Sequence, residues 1–263
     1  MRKYIFIFKS ELMSNLQYVF NTFTGFIGYF IHIFIFLNVW QYIYSDKSQI
    51  INGYTMNQMI WYVIVTEILW SVANGRKLCR KISEDVRSGN IAYNINKPYN
   101  YIGYSLANHL GSVAIKALIY TVLGILVGLM FLGTIPSITI IEAVIIIITG
   151  ILATVISTLL ITFIGLFSFY VEDSNPFFWV YSKFILVLGT LFPIEYFPKV
   201  MQPFLNYSPI YAVSYGPAKL FTSFTWDLFI KLFIAQVIYI IIGYGLCSML
   251  YKKGVKRLNV NGG

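Results

Sequence analysis

Charge is scarce in this chain of 263 residues. Asp, Glu, Lys and Arg make up 11% of it, against roughly 25% in a soluble domain, and no polar stretch is long enough to form one. Histidine and cysteine are scarcer still, with two of each. His32 and His109 cannot supply a catalytic triad or an HExxH zinc motif, and each reads as a packed or interfacial residue. No GxxxxGK followed by Ser or Thr occurs, so there is no phosphate-cradling loop. Cys79 falls in a loop and Cys247 in the last apolar run, which argues against a disulfide. These absences leave no basis for an enzyme, and no cofactor is expected on this chain.

What is present is apolar length. The chain is 58% hydrophobic with a mean hydropathy of +0.72, and a span needs about 20 apolar residues to cross roughly 30 Å of hydrocarbon. Six runs qualify, at about 17–44, 56–75, 103–132, 137–171, 176–193 and 226–251. The pattern predicts an all-α membrane protein, one transmembrane domain over 1–263. Residues 2–16 read as an amphipathic helix lying in the interface. They do not read as a cleavable signal, because a polar break precedes too long a span. The GlyThrIleProSer turn at 133–137 joins the third and fourth runs into a hairpin. From Phe192 to Thr225 the chain is too rich in proline for a span and too apolar for a solvated loop. Two short helices broken at Pro203 and Pro209, re-entrant from the outside between spans five and six, meet both facts, provided protein or a watery cavity covers their backbone.

The net charge of +9 invites a nucleic-acid reading, but the basic residues cluster beside apolar runs, where they act as topology signals and lipid contacts. With both termini inside, 13 of the 19 Lys and Arg fall on inner segments and 3, Lys47, Lys199 and Lys219, on outer ones. Lys116, Lys183 and Lys231 lie within or at the edges of spans. A charge in lipid is costly unless it finds a partner or water. Glu67 lies near the middle of the second span, with Ser71 and Asn74 at i+4 and i+7. Lys116 and Lys183 sit midway along the third and fifth. Glu67 is expected to pair with one of these lysines, either lining a polar pathway or holding helices together. Gly124 and Gly128 form a GxxxG suited to close helix contact.

The longest polar interruption, Arg76 to Tyr101, carries Arg76, Lys77, Arg80, Lys81, Arg87 and Lys97. It includes ValArgSerGlyAsnIle at 86–91 and AsnLysPro at 96–98. With the six spans, the amphipathic start, the proline-rich stretch and the ending TyrLysLysGlyValLysArgLeuAsnValAsnGlyGly, the whole chain resembles a bacterial ABC type-2 permease. It is most similar to the subgroup that ends in a basic stretch plus GlyGly, although Leu258 stands where an aromatic residue is common there. The resemblance implies a partner ATPase subunit in two copies, which binds ATP and Mg, and a second permease, identical or homologous. The family's coupling helix maps onto Ile82 to Gly89. Glu84, Asp85, Val86 and Arg87 would face the ATPase, with the two acids near the helix start and Gly89 as its cap.

The expected role is therefore export of an amphipathic drug, antimicrobial peptide or lipid-like compound across the bacterial cell membrane. An ion-coupled secondary transporter would call for several intramembrane carboxylates and discontinuous spans, and Glu67 alone is a clear case. A non-transporting structural subunit is the other alternative. The charge asymmetry predicts that a cysteine placed at Ser48 reacts with an impermeant maleimide added to whole cells, and that one at Gly262 does not. The reverse labelling pattern would refute this orientation.

Overall fold

Lipid offers the backbone no hydrogen bonds, so a chain this apolar must close its N–H and C=O groups internally, as a helix does. A computed structural model describes residues 2–258 except Tyr18, Ser45, Lys47 and Asn96. Lys47 and the ending at 259–263, including the GlyGly pair, thus lie outside the described residues. The first helices are α1 (Arg2–Gln17) and α2 (Val19–Ile43), followed by a ribbon of β1 (Ile50–Ile51) against β2 (Tyr54–Thr55). The ribbon was not foreseen. Its turn is Asn52–Gly53, both at positive φ, the signature of a tight two-residue hairpin.

Next come α3 (Met56–Val72), α4 (Arg76–Arg87), α5 (Asn90–Ile95), α6 (Tyr101–Leu132) and α7 (Ile140–Leu166), which ends in a 3₁₀ turn at Phe167–Phe169. Each start has a local cause. Thr55 and Gln58 form a capping box for α3, and Thr139 and Glu142 do the same for α7. The Asn100 side chain caps α6, and Gly133 ends it in the left-handed region, as a helix C-terminus favours. The α6–α7 hairpin is as expected.

Beyond it, α8 (Asn175–Ile185) widens into a π turn at Leu186–Leu191, and α9 (Gln202–Asn206), a second π turn at Tyr211–Tyr215 and α10 (Gly216–Thr222) occupy the proline-rich stretch. Two short helical pieces are indeed there. Pro203 stands in the first turn of α9, where its missing N–H is unneeded, and Pro209 follows the gap after α9 at Tyr207–Ser208. The last helix is α11 (Trp226–Leu258).

Among the described residues four segments are long and apolar enough to cross a membrane: Gly25–Ile43, Tyr101–Leu132, Ile140–Phe169 and Trp226–Arg257. Their outer faces carry unshielded Ile141, Ile147, Ile151 and Ile241, as lipid-facing helices do. The other two expected spans are shorter. α3 has 17 residues, and α8 with its π turn covers the same number, Asn175 to Leu191, or about 25 Å each.

α3 is the inner element, with Met59, Ile60, Trp61, Tyr62, Val63 and Ile64 all buried among α2, α6, α10 and the π turns. The GxxxG of α6 makes its close approach possible, because a Cβ on Gly128 would run into the Trp61 indole and one on Gly124 into Tyr29 and Ile68. At 32 residues, α6 reaches about 48 Å and outruns the hydrocarbon. α1 packs along its amino end: Tyr4 accepts from the Asn100 amide at 3.0 Å, and Asn108 donates to Glu11 at 2.8 Å. Replacing Gly128 by Ala should destabilise the protein by about 1–3 kcal/mol through overpacking. The check is a lower melting temperature in detergent, with Gly245→Ala, which meets open space, unchanged.

Candidate functional site

Apolar residues at 78, 79, 82 and 86 recur at helical spacing, so α4 folds with one apolar and one charged face. The Asn74 side chain accepts from the Arg76 amide at 3.3 Å, just before the helix starts. At the other end Ser88 donates to the Glu84 carbonyl at 2.7 Å, and Gly89, at φ 75°, turns the chain. Leu78, Cys79, Ile82 and Val86 are buried in a core with Ile91, Tyr101, Leu159, Ile161, Leu166 and Phe178. Gly165 of α7 leaves no room for a Cβ beside Ile82, and Ser168 donates to Ser83 at 2.7 Å. The opposite face exposes Arg76, Lys77, Arg80, Lys81, Glu84 and Arg87, with Arg80 and Glu84 paired at 2.9 Å.

Three expectations for the coupling segment are thereby corrected. The helix begins at Arg76, six residues before Ile82, so Glu84 and Asp85 lie near its end, where the dipole disfavours acids. Ile82 and Val86 point into the core and cannot face a partner; Val86→Asp would bury a charge. Asp85 is half-buried and accepts from the Tyr101 hydroxyl at 2.9 Å. Of the named residues Glu84, Arg87 and Gly89 remain exposed. Close to this face, hydrogen bonds from Asn175 hold Asp173 below the usual carboxylate range, helped by Arg87 and Arg80. Burial pushes the Cys79 thiol up. Cys79 and Cys247 are both free and buried.

The intramembrane charges also part company with expectation. Glu67 is fully buried, and among the described residues neither carboxylate oxygen has a hydrogen-bond partner. Neither lysine is within ion-pairing distance; the neighbour is His32 of α2, whose Nδ1 is 3.8 Å from Glu67 Oε2. Lys116 instead donates to the Ser71 carbonyl at 2.5 Å, capping the negative end of α3. Lys183 lies over the Trp179 ring at 5.0 Å. Ser71 is buried on the α3 face, whereas Asn74 is past the end of that helix. A sequence signal for His32 does exist. It stands eleven residues before the end of α2 and Glu67 eleven after the start of α3, so an antiparallel hairpin brings them level.

A second cluster was missed. Glu195 accepts from Tyr215 at 2.7 Å, Tyr54 at 3.1 Å and Lys219 at 3.1 Å, pinning the proline-rich stretch to the β2 end of α3. Burial, with Tyr215 and Glu195 adding to it, holds the Tyr54 phenol well above its usual range, so it stays a donor. Among the described residues no group of three His, Cys, Asp or Glu could hold a metal.

The chain is similar to one family over nearly its whole length: a model described as ABC-2 family transporter protein matches residues 9–262. No curated protein matches it.

The geometry couples His32, and neither lysine, to Glu67. A double-mutant cycle on His32→Ala and Glu67→Gln, read by thermal unfolding, should show an interaction of roughly 0.5–3 kcal/mol, whereas Lys116→Ala and Glu67→Gln should add. Additivity of the first pair would break the assignment.

Proposed function

The chain belongs to the ABC-2 family of transporter proteins, and on that premise we propose that it is the permease half of an ATP-driven exporter of an amphipathic compound. As a multi-pass membrane subunit it works with an ABC ATPase. In the proposed assembly two ATPase copies bind ATP and Mg, and a second permease, identical or homologous, completes the pathway. The chain sits in the bacterial plasma membrane with both termini inside. It then has six spans, α3 and α8 being the short ones, with α1 in the inner interface and the α9–α10 stretch dipping into the outer leaflet.

One observation carries the coupling claim: α4 is welded to the membrane helices by its apolar face and offers a continuous charged face outward. A solvated connector needs no such core beneath it. Since conformational change requires differential binding to two states, nucleotide in the partner supplies the energy, and α4 is where it enters. The exposed side chains to engage the ATPase are Arg80, Lys81, Glu84 and Arg87. The expectation of a broad apolar cargo rests on the aromatic and apolar spans.

Glu84→Lys combined with Arg87→Glu should leave detergent-extracted permease monodisperse but reduce co-purifying ATPase at least ~10-fold, with loss of transport. Retention of both the ATPase and normal transport would sink this placement and move the search to α1.

A further inference from the structure

We infer that the cavity where α3 meets α4, walled by α7 and α8, binds the anionic headgroup of an amphiphile. The cavity has a volume of about 120 Å³, room for a small headgroup. Two cations, Arg76 and Lys183, line it together with Asn74 and Ser157, and none of its lining residues is Asp or Glu. Neither cation has an ion-pair partner among the described residues. Ser157 is buried, and Tyr181, another wall of the cavity, is the polar side chain beside its Oγ. Arg76 is also the first residue of α4, whose amino end adds partial positive charge although the Asn74 side chain accepts from its first amide.

Two further observations fix the ligand as an amphiphile, not a free anion. Trp70 and Trp179 are part of the same lining, and indoles favour the depth of lipid headgroups. A second cavity of about 310 Å³ between α3, α6 and α7 is lined by apolar side chains apart from Thr121 and Thr154, and Leu69 is a wall of both. A charged space and a hydrocarbon space therefore adjoin within one protomer. Basic pockets between membrane helices bind lipid phosphates by this chemistry. The head is a phosphate or carboxylate, carried either by a resident lipid or by cargo awaiting export. Its role as a loading site rests on the permease reading; its existence as a binding site does not.

The test uses the purified full chain, delipidated in neutral detergent, and needs neither ATP nor partner. Brominated phosphatidylglycerol should quench tryptophan emission at lower concentration than brominated phosphatidylcholine does. Lys183→Gln and Arg76→Gln should each weaken the phosphatidylglycerol titration about five-fold, the worth of one basic residue near a lipid surface. Lys183→Arg should keep it, and Lys199→Gln, which does not line the cavity, should leave it unchanged. Dodecyl phosphate that displaces the lipid marks a site that exchanges its amphiphile, as cargo would require. Phosphatidylglycerol that resists displacement marks a resident lipid, and both results support the site. The assignment is overturned if the two cavity variants bind as the wild type does or if Lys199→Gln weakens binding equally. Competition by dodecyltrimethylammonium as strong as by dodecyl phosphate would overturn it too.

Discussion

The carbonyl oxygens of Gly189 and Ala212 are buried, and among the described residues neither accepts from a backbone amide. The cause is local in both cases. After the first π turn Phe192 is extended, so the chain leaves the helix before a later amide can turn back to Gly189, and Pro193, which follows, has no N–H to offer. In the second π turn the Gly216 amide reaches back five residues to Tyr211. The next bond in that register, from residue 217 to Ala212, falls on a proline. Buried carbonyls at that depth must be met by protein, and side chains from other elements meet them. Tyr62 and Ser214 each donate to Gly189 at 2.8 Å. Gln236 of α11 donates to Ala212 at 3.0 Å and to Thr149 of α7 at 2.9 Å.

The demand for donors explains α3. A helix this deeply buried gains most from apolar side chains, yet it carries Tyr62, Thr66, Glu67 and Ser71. Tyr62 serves Gly189, and Thr66 donates to the Thr190 carbonyl at 3.0 Å. The Ser71 carbonyl receives Lys116. The hydroxyls of Tyr62 and Thr66 thus stabilise the break after α8, whereas the Ser71 carbonyl is the free end of α3 itself. Glu67 is the exception, with both oxygens unbonded and only a half-exposed His32 near one of them. A buried carboxylate that repairs nothing costs stability, and that singles it out from its neighbours on the same helix.

Much of this was legible beforehand, because long apolar runs, capping boxes and glycine stops are local signals. The helices at 2–17, 101–132 and 140–166 overlap the runs read at 2–16, 103–132 and 137–171. The orientation of α4 was legible in principle too: residues 78, 82 and 86 repeat every four, which puts Val86 on the inner face. The missing knowledge was that a core lies beneath. It is assembled from Ile91, Tyr101, Leu166 and Phe178, far apart in the chain, and no local pattern reports that they converge. Lys116 was misassigned for a similar reason. A charge in a span was matched with the nearest opposite charge, whereas the free carbonyls at the end of α3 offer an equally good acceptor and leave no trace in the sequence.

The packing of α4 also limits how a push there can travel. Ile82 sits against Gly165 with no space for even one added carbon, and Ser83 is bonded to Ser168 in the turn that ends α7. Close-packed contacts of this kind transmit displacement rather than absorb it. A rigid shift of α4 therefore carries the inner end of α7 with it. α7 is bound in turn to α11 through Gln236, which also grips the π turn before α10. In the proposed mechanism, then, a force on the charged face reaches the proline-rich stretch on the far side through α7 and Gln236. α3 offers a parallel route, since it runs into α4 through residues 73–75 and packs against α10 and the π turns.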